Sequence, residues 1–218
     1  MFTCQLEPRQ GTPKDFERLL KSYYKVIQDT RGQAASSVGL TGALLFAVYR
    51  GKISEGLDLR DDNCRAVIPV GIPYPAFKDP KVVLKREFND KHGLNKRLLS
   101  GQQWYESQAF RALNQALGRC IRHRYDWGAI ILLEQRFTIA RNIAQLSRWV
   151  QKRVKRYDSY SSAISSLQDF IVINQKDDSS HDKENKDEGL QANDGSASLK
   201  ESWPRSMPAS HVITDSDD

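Results

Sequence analysis

An α/β fold built on a mostly parallel sheet is predicted by three observations. Continuous apolar runs of strand length occur at Ala43–Tyr49, Ala66–Ile72 and Ala129–Leu133. An amphipathic helical pattern precedes the first run, and a long helical pattern precedes the third. Strands apolar at nearly every position are those of parallel sheets covered on both faces, and alternation of helix with strand implies right-handed crossovers.

The elements follow in order. Thr12-Pro13-Lys14-Asp15 places a hydroxyl at the N-cap, proline at N1 and an acid at N3, which starts a helix. Phe16, Leu19, Leu20, Tyr23, Tyr24 and Ile27 then recur at helical spacing as one apolar stripe that needs a covering layer. A Gly-, Ser- and Ala-rich loop from Gly32 to Gly42 leads into the first strand. Ligands of open parallel sheets sit beyond the carboxyl ends of the strands, so the next segment, Arg50-Gly51-Lys52-Ile53-Ser54-Glu55-Gly56-Leu57-Asp58, is a candidate site. Its two glycines allow close approach of backbone to a ligand, and its cation, hydroxyl and carboxylates suit phosphate chemistry. The same composition also suits a solvated turn. It is not a Walker A loop, whose glycine spacing and following Lys-Ser/Thr are absent from the sequence.

The long helix before the third strand is read as ending near Arg122. At about 100° per residue, Arg111, Gln115, Arg119 and Arg122 fall within roughly 80° of one another, opposite Phe110, Leu113, Leu117, Cys120 and Ile121. The second set packs on the sheet and the first faces outward. Gly118 lies beside the polar stripe at a cost to the helix of roughly 1 kcal/mol, which is accounted for if another body approaches the backbone there. A solvated helix would more often pair its arginines with acids at i±4, and Glu106 is the one acid nearby.

Charge separates the chain into two parts. Residues 176–218 hold five Lys and Arg against eleven Asp and Glu, so the +6 of the whole chain conceals +12 on residues 1–175. A basic domain of that charge suits a phosphate-rich partner or simply a basic surface. The acidic segment has few apolar residues before Trp203 and is read as a disordered tail without secondary structure. No apolar run approaches the roughly 20 residues of a membrane span, and the first residues do not resemble a signal peptide. Cys4, Cys64 and Cys120 are too far apart in sequence to suggest a metal or redox pair and are read as buried or incidental thiols. His92 and His123 are read as surface or helix-end residues, Trp104-Tyr105 as core, and Lys152–Arg156 as a basic helical run.

Gln115-Ala116-Leu117-Gly118-Arg119-Cys120-Ile121-Arg122 resembles the Q-x-x-G-R-x-x-R element, motif VI, of superfamily 2 helicases, and Gly51–Asp58 resembles their motif V. With Arg65–Ile68, Gly71–Pro75, Trp104-Tyr105 and Asn114–Gly128, roughly residues 5–172 are similar to the XPD-like iron–sulfur DNA helicases. Departures occur at Leu59, where relatives carry an aromatic residue, at Glu134-Gln135, where they carry Asp, and in a longer loop, Arg31–Thr41.

The resemblance implies a RecA-like helicase C-terminal domain over residues 1–175, the second motor lobe of an ATP-dependent 5′ to 3′ DNA helicase of repair, followed by the tail at 176–218. By that resemblance Arg119 and Arg122 are arginine fingers and Gln115 orients the attacking water or the γ-phosphate. Gly56, Asp58 and Gly118 line the nucleotide, and Lys52 and Ser54 face DNA. The implied cofactor is ATP with magnesium, shared with a first RecA-like lobe. The relatives' iron–sulfur cluster has no ligand set here. Implied partners are single-stranded or forked DNA, that first lobe and repair proteins, in the nucleus and away from membranes. A Walker A lysine and an Asp-Glu-x-His segment are absent from these residues, so the chain reads as beginning partway through a larger protein and as inactive alone. The alternative is a catalytically inactive fragment that binds nucleic acid or a partner.

Overall fold

The computed structural model describes residues 2–31, 41–56, 59, 61–123, 126–188 and 210–214. The order is β1 (Phe2–Leu6), α1 (Pro13–Arg31), β2 (Gly42–Phe46), α2 (Lys52–Gly56), β3 (Ala66–Val67), α3 (Pro80–Lys96), α4 (Gly101–Leu117) and β4 (Gly128–Leu132). It continues with α5 (Ala140–Ile143), α6 (Arg148–Gln151), β5 (Val154–Arg156), α7 (Tyr160–Glu188) and β6 (Ser210–Thr214). All pairings are parallel: β1 with β2 in one sheet, and β3-β4-β6-β5 in another. This is the α/β architecture of parallel strands and covering helices that the apolar runs predict.

Helix α1 starts as its sequence dictates. Thr12 N and Oγ1 both donate to Asp15 Oδ2, at 2.8 and 2.7 Å, and those bonds hold the Asp15 carboxyl below its usual range. Its apolar stripe buries Tyr23 and Ile27 against Leu59 and Cys64, with Ala43, Leu45 and Val67 packed around them. Helix α4 is closed by a reciprocal Ser100–Gln103 capping box and lays Ala109, Phe110, Leu113 and Leu117 on Ile130 and Leu132 of β4. Val67 touches both clusters, so the two sheets share one continuous apolar interior.

The structure corrects several boundaries. The first strand ends at Phe46 and is covered on one face only: Leu44, Phe46 and Val48 are 39%, 50% and 58% exposed, with Phe2 and Leu6 beside them on the same face. The second run is a strand over Ala66–Val67 alone. Pro69 has no N–H to give to the ladder, although its carbonyl accepts from Leu133 N and Gly71 N donates to Leu133 O, which carries the pairing past it. Helix α4 ends at Leu117, five residues short of Arg122, and a tight turn follows in which Arg119 N donates to Ala116 O and Cys120 N to Leu117 O. Lys152–Arg156 is the turn that closes α6 and the strand β5, not a helix. Within the tail, α7 runs on to Glu188 and Ser210–Thr214 lies between β4 and β5 as a parallel strand, so these two stretches carry secondary structure that composition does not suggest.

Candidate nucleotide and nucleic-acid site

The loop after β2 is organised by an acid from β1's end. Glu7 accepts from Val48 N at 2.9 Å and from Ile53 N at 3.3 Å. Gly51 faces this carboxylate so closely that a Cβ there would lie 2.7 Å from Glu7 Oε1. A side chain at 51 would therefore push the Glu7 carboxylate away from the Val48 and Ile53 amides that it holds. The chain then enters α2, where the Ser54 hydroxyl donates to Gly51 O at 3.1 Å and the residue is 9% exposed. Lys52 is exposed, with its ammonium 4.3 Å from the Phe16 ring centroid, an attraction between cation and ring quadrupole. Gly56 closes α2. Asp58 lies outside the described residues.

The turn after α4 meets this loop. Arg119 Nε donates to Ser54 O at 2.9 Å, so the guanidinium joins the Q-x-x-G-R-x-x-R segment to the segment resembling motif V. Arg50, at φ 62°, adds a second tie through Nη2 to Gln108 O at 3.1 Å. Gln115 is exposed on the last turn of α4. Gly118 caps that helix at φ −64°, and a Cβ there would make ordinary contacts, the nearest at 3.5 Å. Neither space nor backbone conformation within the chain demands a glycine at this position.

Arg122 is held by a network that sequence reasoning does not assign. Its backbone N donates to Asp126 Oδ2 at 3.0 Å, and Asp126, 1% exposed, also accepts from Trp127 N and from Arg65 Nη1, each at 3.0 Å. Arg65 in turn donates to Trp127 O at 3.0 Å and to Asp62 Oδ1 at 2.8 Å, and its guanidinium stacks 4.3 Å from the Trp127 ring. A buried carboxylate is tolerable only when paired and hydrogen-bonded, and Asp126 meets both conditions. His123 Nε2 lies 2.8 Å from Asp61 Oδ1. Asp61, His123 and Asp126 bring potential ligand atoms within 4.8 Å of one another, but the three N–H donors on Asp126 make the group an ion-paired network rather than a cage awaiting a cation. His123 is an exposed residue just past the end of α4, as its sequence position suggests, and it is paired there with Asp61. Arg65 and Asp126 both lie within the segments that carry the family resemblance. The signal that could have found them is an Arg and an Asp placed immediately before two core strands.

Tyr105 is core, its hydroxyl donating to Pro75 O at 2.8 Å, while Trp104 is half-buried. Cys64 and Cys120 are buried free thiols and Cys4 is exposed. Contact with Cys64 and burial together push the Cys120 thiol up, which leaves it protonated and unreactive. These three thiols do not make a four-cysteine cluster site. Among the described residues no helix is long and apolar enough to cross a membrane.

Comparison with known proteins places the chain in a family. Residues 3–153 match the helicase C-terminal domain family. The chain is 52% identical over 176 residues to the Fanconi anemia group J protein homolog of Gallus gallus, covering 80% of this chain and 14% of that protein. It is 44% identical over 175 residues to regulator of telomere elongation helicase 1 of Mus musculus, covering 78% of this chain and 14% of that protein. A Drosophila sechellia homologue of the latter is 46% identical over 147 residues, covering 67% of this chain and 14% of that protein. The chain therefore spans about one-seventh of the curated relatives it matches. The parallel sheet and the matched residues lead to one conclusion: the chain belongs to the helicase C-terminal domain family, in its XPD-like superfamily 2 branch.

Proposed function

We propose that this chain is the C-terminal motor lobe of an ATP-dependent 5′ to 3′ DNA helicase acting in DNA repair in the nucleus. The observation that carries the reading is the hydrogen bond from Arg119 Nε to Ser54 O. It joins the segment resembling the nucleotide-side motif to the segment resembling the DNA-side motif, which is what a motor needs if hydrolysis is to be transmitted to a strand. A guanidinium pair and an amide, at Arg119, Arg122 and Gln115, form a donor set suited to the spread negative charge of a transferring phosphoryl group.

In this reading Arg122 reaches the γ-phosphate from across the cleft between lobes, and Asp126 holds its backbone so that little reorganisation is needed in the transition state. Arg119 shares the phosphate side while its Nε keeps the α2 loop in register. Gln115 orients the water or the γ-phosphate. Gly56, Asp58 and Gly118 border the nucleotide, and Gly118 leaves its backbone open to it. Lys52 contributes a phosphate contact on the DNA side, and Ser54, whose hydroxyl is already satisfied within the loop, acts there through its backbone. Magnesium neutralises phosphate charge when bound, its ligands coming from the first RecA-like lobe. Repair proteins and single-stranded or forked DNA are the expected partners.

The test is a salt-titrated ATPase assay of this chain, with and without single-stranded DNA and with the first lobe of the chicken relative supplied in trans. The expected result is no turnover alone, turnover in the mixture, and a loss of about 10³-fold for Arg122→Ala with DNA binding retained. Turnover by the chain alone, or a mixture indifferent to Arg122, overturns the motor reading and leaves an inactive binding fragment.

A further inference from the structure

Helix α3 lies outside every motif used above, and its outward face is neither an ordinary solvated surface nor a buried one. Setting Phe88 at zero and stepping about 100° per residue, Lys91, Leu84, Asn95, Phe88, Lys81, His92, Lys85 and Lys96 fall within roughly 140°. Four lysines share that sector and no acid falls within it; Glu87 lies outside it and Asp90 points to the opposite side, where its Oδ1 accepts from Gly101 N. Leu84 is 66% exposed and Phe88 40% exposed, although α3 is a long, well-capped helix with a neighbour available to cover them.

The aromatic centre of the stripe is organised. The Phe88 and His92 rings sit one helical turn apart with centroids 4.6 Å from each other. The Lys85 and Lys96 ammonium groups lie 5.2 and 5.1 Å from the Phe88 centroid. Lys81 and Lys91 extend the positive sector along the helix on either side. A part-exposed phenylalanine with two ammonium groups over its ring, in a sector free of acids, has the two parts of a single-strand platform: a ring on which a base stacks once the flexible lysines swing aside, and those ammonium groups for the phosphates next to it. An acidic peptide would be served by the lysines but would make no use of the ring pair, which favours nucleic acid.

We propose that the Lys81–Lys96 face of α3 is a second contact surface for single-stranded DNA, on which a base stacks against Phe88 and the flanking phosphates are held by Lys81, Lys85, Lys91 and Lys96. This rests on the reading of the chain as a lobe that handles DNA, and extends it to a helix that neither nucleotide-side nor DNA-side motif includes.

The experiment measures binding of the whole 218-residue chain to a fluorescein-labelled oligothymidylate by anisotropy across a salt series. Lys52→Gln serves as the reporter for the motif V side. Phe88→Ala should weaken binding about tenfold, the scale of removing one base stack, and Phe88→Leu, which keeps an apolar side chain over the helix but removes the π-face, should weaken it with little change in thermal unfolding. Lys85→Gln with Lys96→Gln should lower the slope of log K against log salt by about 1.4, since each phosphate neutralised on a single strand accounts for about 0.7. Photocrosslinking with 5-iododeoxyuridine should label the peptide containing Phe88. If the chain binds but the α3 variants match wild type while Lys52→Gln weakens it, the α3 surface falls and the motor reading stands. If the chain binds no single strand at low salt, both fall. If Phe88→Ala is silent and a peptide of residues 177–188 displaces the oligonucleotide from the lysines, the surface is a protein-docking one and the proposal is overturned.

Discussion

Helices α3 and α4 have the same length, 17 residues each, and form a packed pair. Both have well-made starts: Asp79 accepts from Lys81 N ahead of Pro80, and Ser100 and Gln103 cap one another. Their fates differ. Helix α4 buries seven residues and forms the floor of the larger core, whereas the one buried residue described on α3 is Asn89, whose Nδ2 donates to Leu99 O at 3.0 Å. Capping and propensity make a helix in either case, while the breadth of the apolar sector decides where it goes. α4 can therefore hold the residues preceding Arg119 and Arg122 rigidly, and α3 keeps a lysine-rich face available.

The largest effect that sharpens this contrast is a matched truncation. Leu113→Ala, at a fully buried site on α4, should cost about 2–5 kcal/mol in denaturant unfolding, whereas Leu84→Ala on α3 should stay within about 0.5 kcal/mol. Equal losses would show that α3 is as deeply engaged as α4. Next comes the support beneath the turn that follows α4. Asp126→Asn removes the charge facing Arg65 and should cost about 2 kcal/mol, since Arg65 remains partly solvated and keeps Asp62. In the two-lobe ATPase assay it should lower kcat more than it raises the KM for DNA, because it loosens Arg122 without touching the strand.

A pH series probes the core that α4 covers. Tyr49 packs on that core and burial pushes its hydroxyl up to about 12. A group whose folded value is raised contributes stability fully below pH 10, and that contribution is lost as pH climbs through the window from 10 to 12. Tyr49→Phe should flatten the decline of the unfolding midpoint there, and an unchanged profile would remove Tyr49 as its source. The smallest effect belongs to Gly118. Because its φ and surroundings accept a Cβ, Gly118→Ala should change stability by no more than about 0.5 kcal/mol yet reduce turnover in the two-lobe assay. A variant with full turnover would take Gly118 off the nucleotide side.

How far the sequence can be read varies with the physics involved. The capping of α1 and the apolar face of α4 are legible because caps and helical periodicity are local. The end of α4 is not. Extending the helix to Arg122 places Arg119 and Arg122 on one outward stripe, but the chain turns at Gly118, Arg119 reaches Ser54, 65 residues away, and Asp126 captures the Arg122 amide. Helix α3 is hard to see in the sequence although Asp79-Pro80 repeats the start signal of Thr12-Pro13, because its apolar pattern is weak and periodicity is the stronger cue. β6 is hidden for a related reason: Val212, Ile213 and Thr214 favour a strand, but the run is only five residues within an acidic segment, and pairing with β4 and β5 completes it.

The sequence by itself determined the fold class, the basic character of residues 1–175, the helix start at Thr12 and the motif carrying Gln115, Arg119 and Arg122, since each depends on neighbouring residues or on composition. Tertiary structure alone decided that Glu7 shapes the loop after β2, that Arg65 and Asp126 anchor the turn bearing Arg122, and that α3 leaves Phe88 among lysines in solvent. The first two depend on contacts between residues tens of positions apart, and the third on which face of α3 the packing against α4 leaves uncovered; no local pattern records either.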